Sequence, residues 1–415
     1  MTNLIIKNAR IIGKSDPVQI MIEGDRIVPS LKKNTPTDFI IDADGCLVIP
    51  GLINPHTHLD KAGLAEQVKN TSGTVWEARK KMLEIKPNLT FENIKLRAKK
   101  VIDESIKNGV TAIRTHVDVD PTIELRGIKA ILDLQNDYKD KIDIQIVAFP
   151  QEGILESPGT YELMQEALNL GANIVGGHLS IAKDYQEHSR TVFSLAKKFD
   201  KNVDIHVDFD IDKDYSVCSA HKDGRIYPDN LGVIWMAEET IRQGFIGRAT
   251  ASHLCGLDSI SPEITPNVIS LIRTAGISVI ALPPGNLFLQ GRSDQFRVRR
   301  GVTKVKDLAN AGVCVSFGPD NIRDPFNPIG SPNMIQNAVL TAYACHMTSN
   351  MDFEEVINMC TTNAARIMGL KEYGLKENCF ADIVILNASS VEEVLAYQAT
   401  PRFVIKHGKI LFESS

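Results

Sequence analysis

Pro50-Gly-Leu-Ile-Asn-Pro-His56-Thr-His58-Leu-Asp60-Lys61 carries an apolar run straight into His-x-His. In an extended strand, residues two apart point to the same side. His56 and His58 therefore reach a common point from the end of one strand, and imidazole suits Zn, Fe, Ni and Cu. A lone pair of histidines is as readily two packed or exposed rings. Here the pair ends a strand after Pro-Gly and is matched further along by His206, His253 and Asp320.

The chain after this segment alternates strand and helix. Hydrophobic patterning predicts strands at 51–58, 109–117, 142–149, 172–178, 203–207, 248–253, 277–282 and 313–317. Helical periodicity falls between them, at 91–108, 122–138, 161–170, 189–199 and 266–275. Such alternation is the signature of an α/β fold, a (β/α)8 TIM barrel. An open doubly wound sheet is the competing architecture. No strand leads into Gly-x-Gly-x-x-Gly and no P-loop is present, which disfavours it. The two chain ends read differently. Short strands and turns fill the first 50 residues, with a turn at Gly24-Asp25, and recur at the C-terminus with a turn at His407-Gly408. We expect a discontinuous β-sandwich from 1–52 and 370–415, enclosing a barrel at 53–369.

A chain of 415 residues can bury a large core, and 43% hydrophobic with 23% charged residues is ordinary for a globular protein. The net charge of −5 gives no reason to expect nucleic acid or an anionic membrane as partner. Four arginines in 287–300 make one basic loop, which salt bridges or an interface explain better than nucleic acid. No apolar run is long enough to span a bilayer, and the N-terminus lacks the regions of a signal peptide. Seven scattered cysteines without Cys-x-x-Cys suggest neither a disulfide framework nor a thiolate zinc site. Reduced thiols in the cytoplasm are the economical reading.

In a barrel of this kind, active-site groups lie at the C-terminal ends of the strands. The polar residues predicted there are His56 and His58 on the first strand, His116 and Asp118 on the second, and Gln151 and Glu152 after the third. His178 ends the fourth, His206, Asp208 and Asp210 follow on the fifth, His253 ends the sixth, and Asp320 follows the eighth. Three imidazoles and one carboxylate, from His56, His58, His206 and Asp320, suit one divalent cation with a position left for water. Such a cation lowers the pKa of water toward neutrality. A neighbouring carboxylate can then accept and pass on the proton, and a histidine such as His253 can orient or polarise the attacked centre. This equipment suits hydrolysis at an electrophilic carbon.

At these residues the chain resembles the amidohydrolase superfamily, and within it the cytosine deaminase branch. The likeness runs nearly full length. It is carried by Pro55-His-Thr-His-Leu-Asp60, Arg114-Thr-His-Val-Asp118, Ile146-Val-Ala-Phe-Pro-Gln-Glu-Gly-Ile154, Thr250-Ala-Ser-His253, Leu289-Gln-Gly-Arg292, Arg299-Arg-Gly-Val-Thr303 and Phe317-Gly-Pro-Asp320. Arg114-Thr-His-Val-Asp-Val-Asp120 and Asp320-Asn-Ile-Arg-Asp324 are also similar to N-isopropylammelide aminohydrolases. The resemblance implies that His56, His58 and His206 bind a metal, zinc or iron. It implies that Asp320 contacts it and moves protons, that His253 bonds near the hydrolytic water, and that Gln151 reads the amide-like edge of a heterocycle. It also implies a homo-oligomer, and it makes the segment after the seventh strand a cover for the site.

Two departures stand out. Cytosine deaminases carry His-x-Asp-Glu after the fifth strand, the glutamate shuttling a proton to the ring. Here the segment is His206-Val-Asp208-Phe209-Asp210, with Phe209 in the glutamate's place. Asp208 and Asp210 share a side with His206 if the strand stays extended, so either is a candidate substitute. Asn321 stands where the deaminases have a second aspartate, as in the N-alkyl-triazine branch. Phe209, Asn321 and His116 are thus candidate substrate contacts. The expected activity is deamination of a small nitrogen heterocycle. Release of an alkylamine and opening of a cyclic amide are the enzymatic alternatives. A non-catalytic barrel is a third reading, against which the intact histidine and aspartate set argues.

Overall fold

The computed structural model describes residues 3–31, 37–221 and 223–414. Met1, Thr2, residues 32–36 and Ser415 of the expected sandwich lie outside them. Leu52–Thr57, Val110–Asp118 and Ile174–His178 are buried along their whole length. Strands covered on both faces belong to parallel sheets flanked by helices, and these do. Eight parallel strands follow one another in chain order around the sheet. They are β1 (Leu52–Thr57), β2 (Val110–Asp118), β3 (Asp143–Phe149), β4 (Ile174–His178), β5 (Asn202–Val207), β6 (Ala249–His253), β7 (Ser278–Ala281) and β8 (Val315–Phe317). Past the end of β8 the chain rejoins β1 through a parallel bridge from Thr57 to Asp320. The Thr57 hydroxyl donates to the Asp320 carbonyl at 2.9 Å, and the Asp320 amide to the His56 carbonyl at 3.3 Å. The architecture is the expected (β/α)8 barrel. Its closure seam carries two of the predicted metal ligands.

Helices Phe91–Lys107, Arg126–Asp137, Thr160–Leu170, Tyr185–Phe199 and Thr265–Thr274 fall within a few residues of the expected ones. Their starts move most. Helix Arg126–Asp137 begins later than position 122 because Asp120 accepts the amides of Thr122 and Ile123 in a turn. Helix Tyr185–Phe199 begins earlier, where Asp184 caps the Glu187 amide.

The chain ends make two four-stranded sheets. One holds Asn3–Ala9, Val18–Glu23, Arg26–Val28 and Phe39–Asp42; the other holds Val48–Pro50, Ile383–Leu386, Pro401–Lys406 and Lys409–Glu413. Leu4, Ile6 and Ile22 of the first share a core with Ile383, Ile385 and Ile405 of the second. The His407-Gly408 turn has both residues at positive φ, as a two-residue hairpin requires. Buried Lys406 ties this layer to the barrel, 2.6 Å from both Asp382 and Asp143 at the start of β3. No helix among the described residues is long and apolar enough to cross a membrane.

Candidate active site

The four predicted ligands converge. His56, His58, His206 and Asp320 are all buried, and each offers one ligand atom within 4.8 Å of the others. His56 Nε2 and His58 Nε2 lie 3.4 and 3.3 Å from Asp320 Oδ1, and His206 Nε2 lies 3.3 Å from His58 Nε2. Burial holds His56 down at about 4 and His58 at about 3, and His206 well below its ordinary value. Neutral imidazole is the form that binds metal. Burial alone would raise the Asp320 carboxyl, but the surrounding rings of His253, His56 and His58 hold it well below the usual range. His56 Nε2 has no hydrogen-bond partner among the described residues. Buried acceptors aimed at one another are unfavourable unless a proton or cation lies between them. The donor set and the orphaned nitrogen fit a divalent cation bound by three nitrogens and one oxygen.

A supporting layer fixes this geometry. His56 Nδ1 lies 3.0 Å from the Ser252 hydroxyl, which donates to Asp204 Oδ1 at 2.8 Å. Ser252 thus accepts from Nδ1–H and leaves the Nε2 lone pair facing the cluster. Arg114 holds the other Asp204 oxygen at 2.8 Å, and His116 Nε2 lies 3.3 Å from Oδ1. Loss of such an outer partner typically costs about 10–100-fold in metal affinity. Ser252→Ala is therefore expected to weaken the binding of an added divalent cation by that factor, as competition with a chelating dye measures. Sequence reading missed Asp204 and Ser252. The signal was available for Asp204, which is two residues before His206 and so on the same face of β5.

The strand ends aim the remaining groups. His253 and Asp320 sit at φ 75° and 63°. Non-glycine residues rarely adopt this region, and where they do it is often at a functional site. His253 Nδ1 lies 3.1 Å from Asn286 Oδ1. Gln151 presents Oε1 to the Lys61 ammonium at 2.7 Å. Asn321 donates to Asp324 Oδ2 at 2.7 Å. Lys61 is 2.8 Å from Asp118, and buried Lys86 binds Asp118, Asp120 and Glu152. Removing one partner of a buried ion pair costs about 3–5 kcal/mol, so this cluster holds the loops after β1, β2 and β3 in place. Arg323 pairs with Glu104 through both terminal nitrogens.

These groups face a cavity of about 860 Å³ lined by His58, Gln151, His206, His253, Asp320 and Asn321, among others. The structure sorts the two acids offered in place of the missing glutamate. β5 ends at Val207, and Asp208 turns to φ 51°. The extended-strand premise therefore fails. The Asp208 carboxylate swings onto the start of helix Gly232–Gln243, accepting the Gly232 amide at 2.6 Å and the Val233 amide at 2.9 Å. Asp210 lines the cavity; Asp208 does not. Phe209 also lines it, its ring 5.0 Å from that of His253 and perpendicular to it. His116, read as a substrate contact, is stacked behind His56 at 4.0 Å and is not part of the wall. Gln290 donates to the Phe209 carbonyl, and Arg299 binds Asp212 and Asp294. Salt bridges thus account for part of the basic loop, and Arg292 and Ser293 of the same loop border the cavity.

The barrel and its buried His/His/His/Asp cluster at the strand ends define a hydrolase of the metal-centre type. Residues 40–412 match the Amidohydrolase family, and the chain belongs to it, in the cytosine deaminase-like branch. It is 29% identical over 419 residues to the N-isopropylammelide isopropyl amidohydrolase of Pseudomonas sp. strain ADP, covering 99% of this chain and 97% of that one. Its fold superposes on 5-methylcytosine deaminase from Klebsiella pneumoniae, liganded with 5-fluorocytosine, with a TM-score of 0.90 and 32% identity, over 99% of this chain and 98% of that one. N-isopropylammelide isopropylaminohydrolase from Burkholderia multivorans gives 0.84 and 28%, at 99% and 98% coverage.

Proposed function

We propose that this chain hydrolyses an exocyclic C–N bond of a small nitrogen heterocycle, in the manner of a cytosine deaminase. The observation that carries the reading is the convergence of four buried ligand atoms on one wall of a cavity that Gln151, His253 and Asn321 also face. His56, His58, His206 and Asp320 would hold one divalent cation, zinc or iron. When bound, it supplies Lewis acidity and a water acidic enough to yield hydroxide near neutral pH.

The protein's own groups do the rest. Asp320 takes the proton from the attacking water, and His253, steadied by Asn286, orients the attacked carbon. Gln151 is held by Lys61 so that its Nε2–H2 is available to a ring acceptor. Asn321 meets the edge beside it. Phe209 lies against the flat face. Asp210, which lines the cavity where Asp208 does not and, unlike Asp212, is not bound by Arg299, delivers the proton to the departing nitrogen. The reading extends to a homo-oligomer working in the cytoplasm, where the seven unbridged cysteines stay reduced.

Phe209 and Asn321 favour one variant of this reaction. With no glutamate at 209 and no second aspartate at 321, an alkylamine becomes a competing leaving group. The test is product analysis across aminopyrimidines, aminotriazines, N-alkylaminotriazines and pterins, using protein loaded with zinc or with iron. One equivalent of ammonia or alkylamine per turnover is expected. A ring-opened product with no amine released would overturn exocyclic C–N cleavage.

A further inference from the structure

The cavity is larger than a single heterocycle needs. Pockets of roughly 300–1,000 Å³ enclose drug-sized ligands, and this one, at about 860 Å³, is near the upper end. The groups assigned above surround the histidine cluster. Trp76, Arg79, Lys213 and Arg292 also line the cavity and have no part in that chemistry.

The charges on this second wall do not balance. Arg292 donates Nε–H and Nη2–H to the Phe288 carbonyl, and Lys213 donates to the Ser180 carbonyl and the Tyr185 hydroxyl. Among the described residues, neither pairs with a carboxylate. Arg79 has only a 4.0 Å contact with Glu152, whose other oxygen already binds Lys86. Of the facing acids, Asp212 is bound by Arg299, which leaves Asp210 against three cations. Trp76 is 72% exposed at the mouth. A large aromatic ring open to water beside a cavity offers an apolar stacking face.

Resting on the hydrolase reading above, we infer that Trp76, Arg79, Lys213 and Arg292 form an outer subsite for an anionic substituent, so that the substrate is a heterocycle bearing a carboxylate group. The heterocycle occupies the inner half against the histidine cluster. Its substituent leaves along Trp76, and the carboxylate meets the guanidinium groups, which suit planar oxyanions.

Matched pairs test this: cytosine with 5-carboxycytosine, and pterin with 6-carboxypterin. Each is titrated calorimetrically against zinc-loaded protein, with kcat/KM measured wherever there is turnover. In at least one pair the carboxylate is expected to bind ten-fold or more tightly than its neutral partner. The preference should shrink as salt rises from 50 to 500 mM. In Arg79→Met/Arg292→Met the ratio should fall toward one, with zinc content and melting temperature confirming the fold. Equal binding in both pairs, or a preference that the double variant keeps, overturns the outer subsite and leaves the hydrolase reading standing. Binding of no member of either pair, alongside no amine release from the product panel, overturns both.

Discussion

Asp320→Asn is expected to lower kcat/KM about 10⁴-fold or more while leaving the barrel folded. Asp320 lies within 3.4 Å of two of the three proposed imidazole ligands and is the proposed acceptor of the water's proton. General acid–base help alone is typically about 10²–10⁴-fold, and weakened cation binding adds to its loss. Fold integrity is expected because the closure of β8 onto β1 uses the Asp320 backbone, through its amide and its carbonyl. Asparagine is the suitable replacement. It matches the shape of aspartate and tolerates the left-handed backbone at φ 63°, where alanine would add strain. Steady-state kinetics on the best substrate, with circular dichroism as the check on folding, decides it. A loss of ten-fold or less would remove Asp320 from the chemistry.

Asp210→Asn is expected to cost about 10²–10⁴-fold in kcat, read from steady-state kinetics on the best substrate with circular dichroism as the check on folding. Asp208→Asn is the companion measurement. Its carboxylate accepts two backbone amides at the start of helix Gly232–Gln243, and asparagine keeps one acceptor oxygen. The expected result is a stability loss of about 1.5–3 kcal/mol, the usual worth of a hydrogen bond to a charged group, read from the denaturation midpoint, with kcat little changed. If the two variants exchange these outcomes, the proton donor has been assigned to the wrong aspartate.

The contrast between these aspartates marks where the sequence stops being legible. Apolar runs locate β1 to β8 because strands buried on both faces leave that pattern, and period-two alternation says which of their residues share a face. The barrel topology then places His56, His58, His206 and Asp320 at one rim. The same alternation, carried past Val207, puts Asp208 and Asp210 on one side. The turn at Asp208 breaks it, and nothing local announces that turn: the helix whose amides draw the carboxylate away begins at Gly232. His116 fails differently. It alternates correctly on β2 and points into the barrel, but below the cavity floor, and depth along a strand is set by register with its neighbours. The Ser252–Asp204–Arg114 support lies in the same buried layer, assembled from β6, β5 and β2. Motif reading at strand ends does not reach that layer.

Elemental analysis of the purified chain decides whether His56, His58, His206 and Asp320 together hold one divalent cation. After loading with zinc or iron and removal of excess, about one metal ion per chain is expected in the parent protein and a small fraction of that in His206→Ala, with both proteins folded by circular dichroism. A folded parent chain that retains no metal, or a His206→Ala variant that retains as much as the parent, would contradict it.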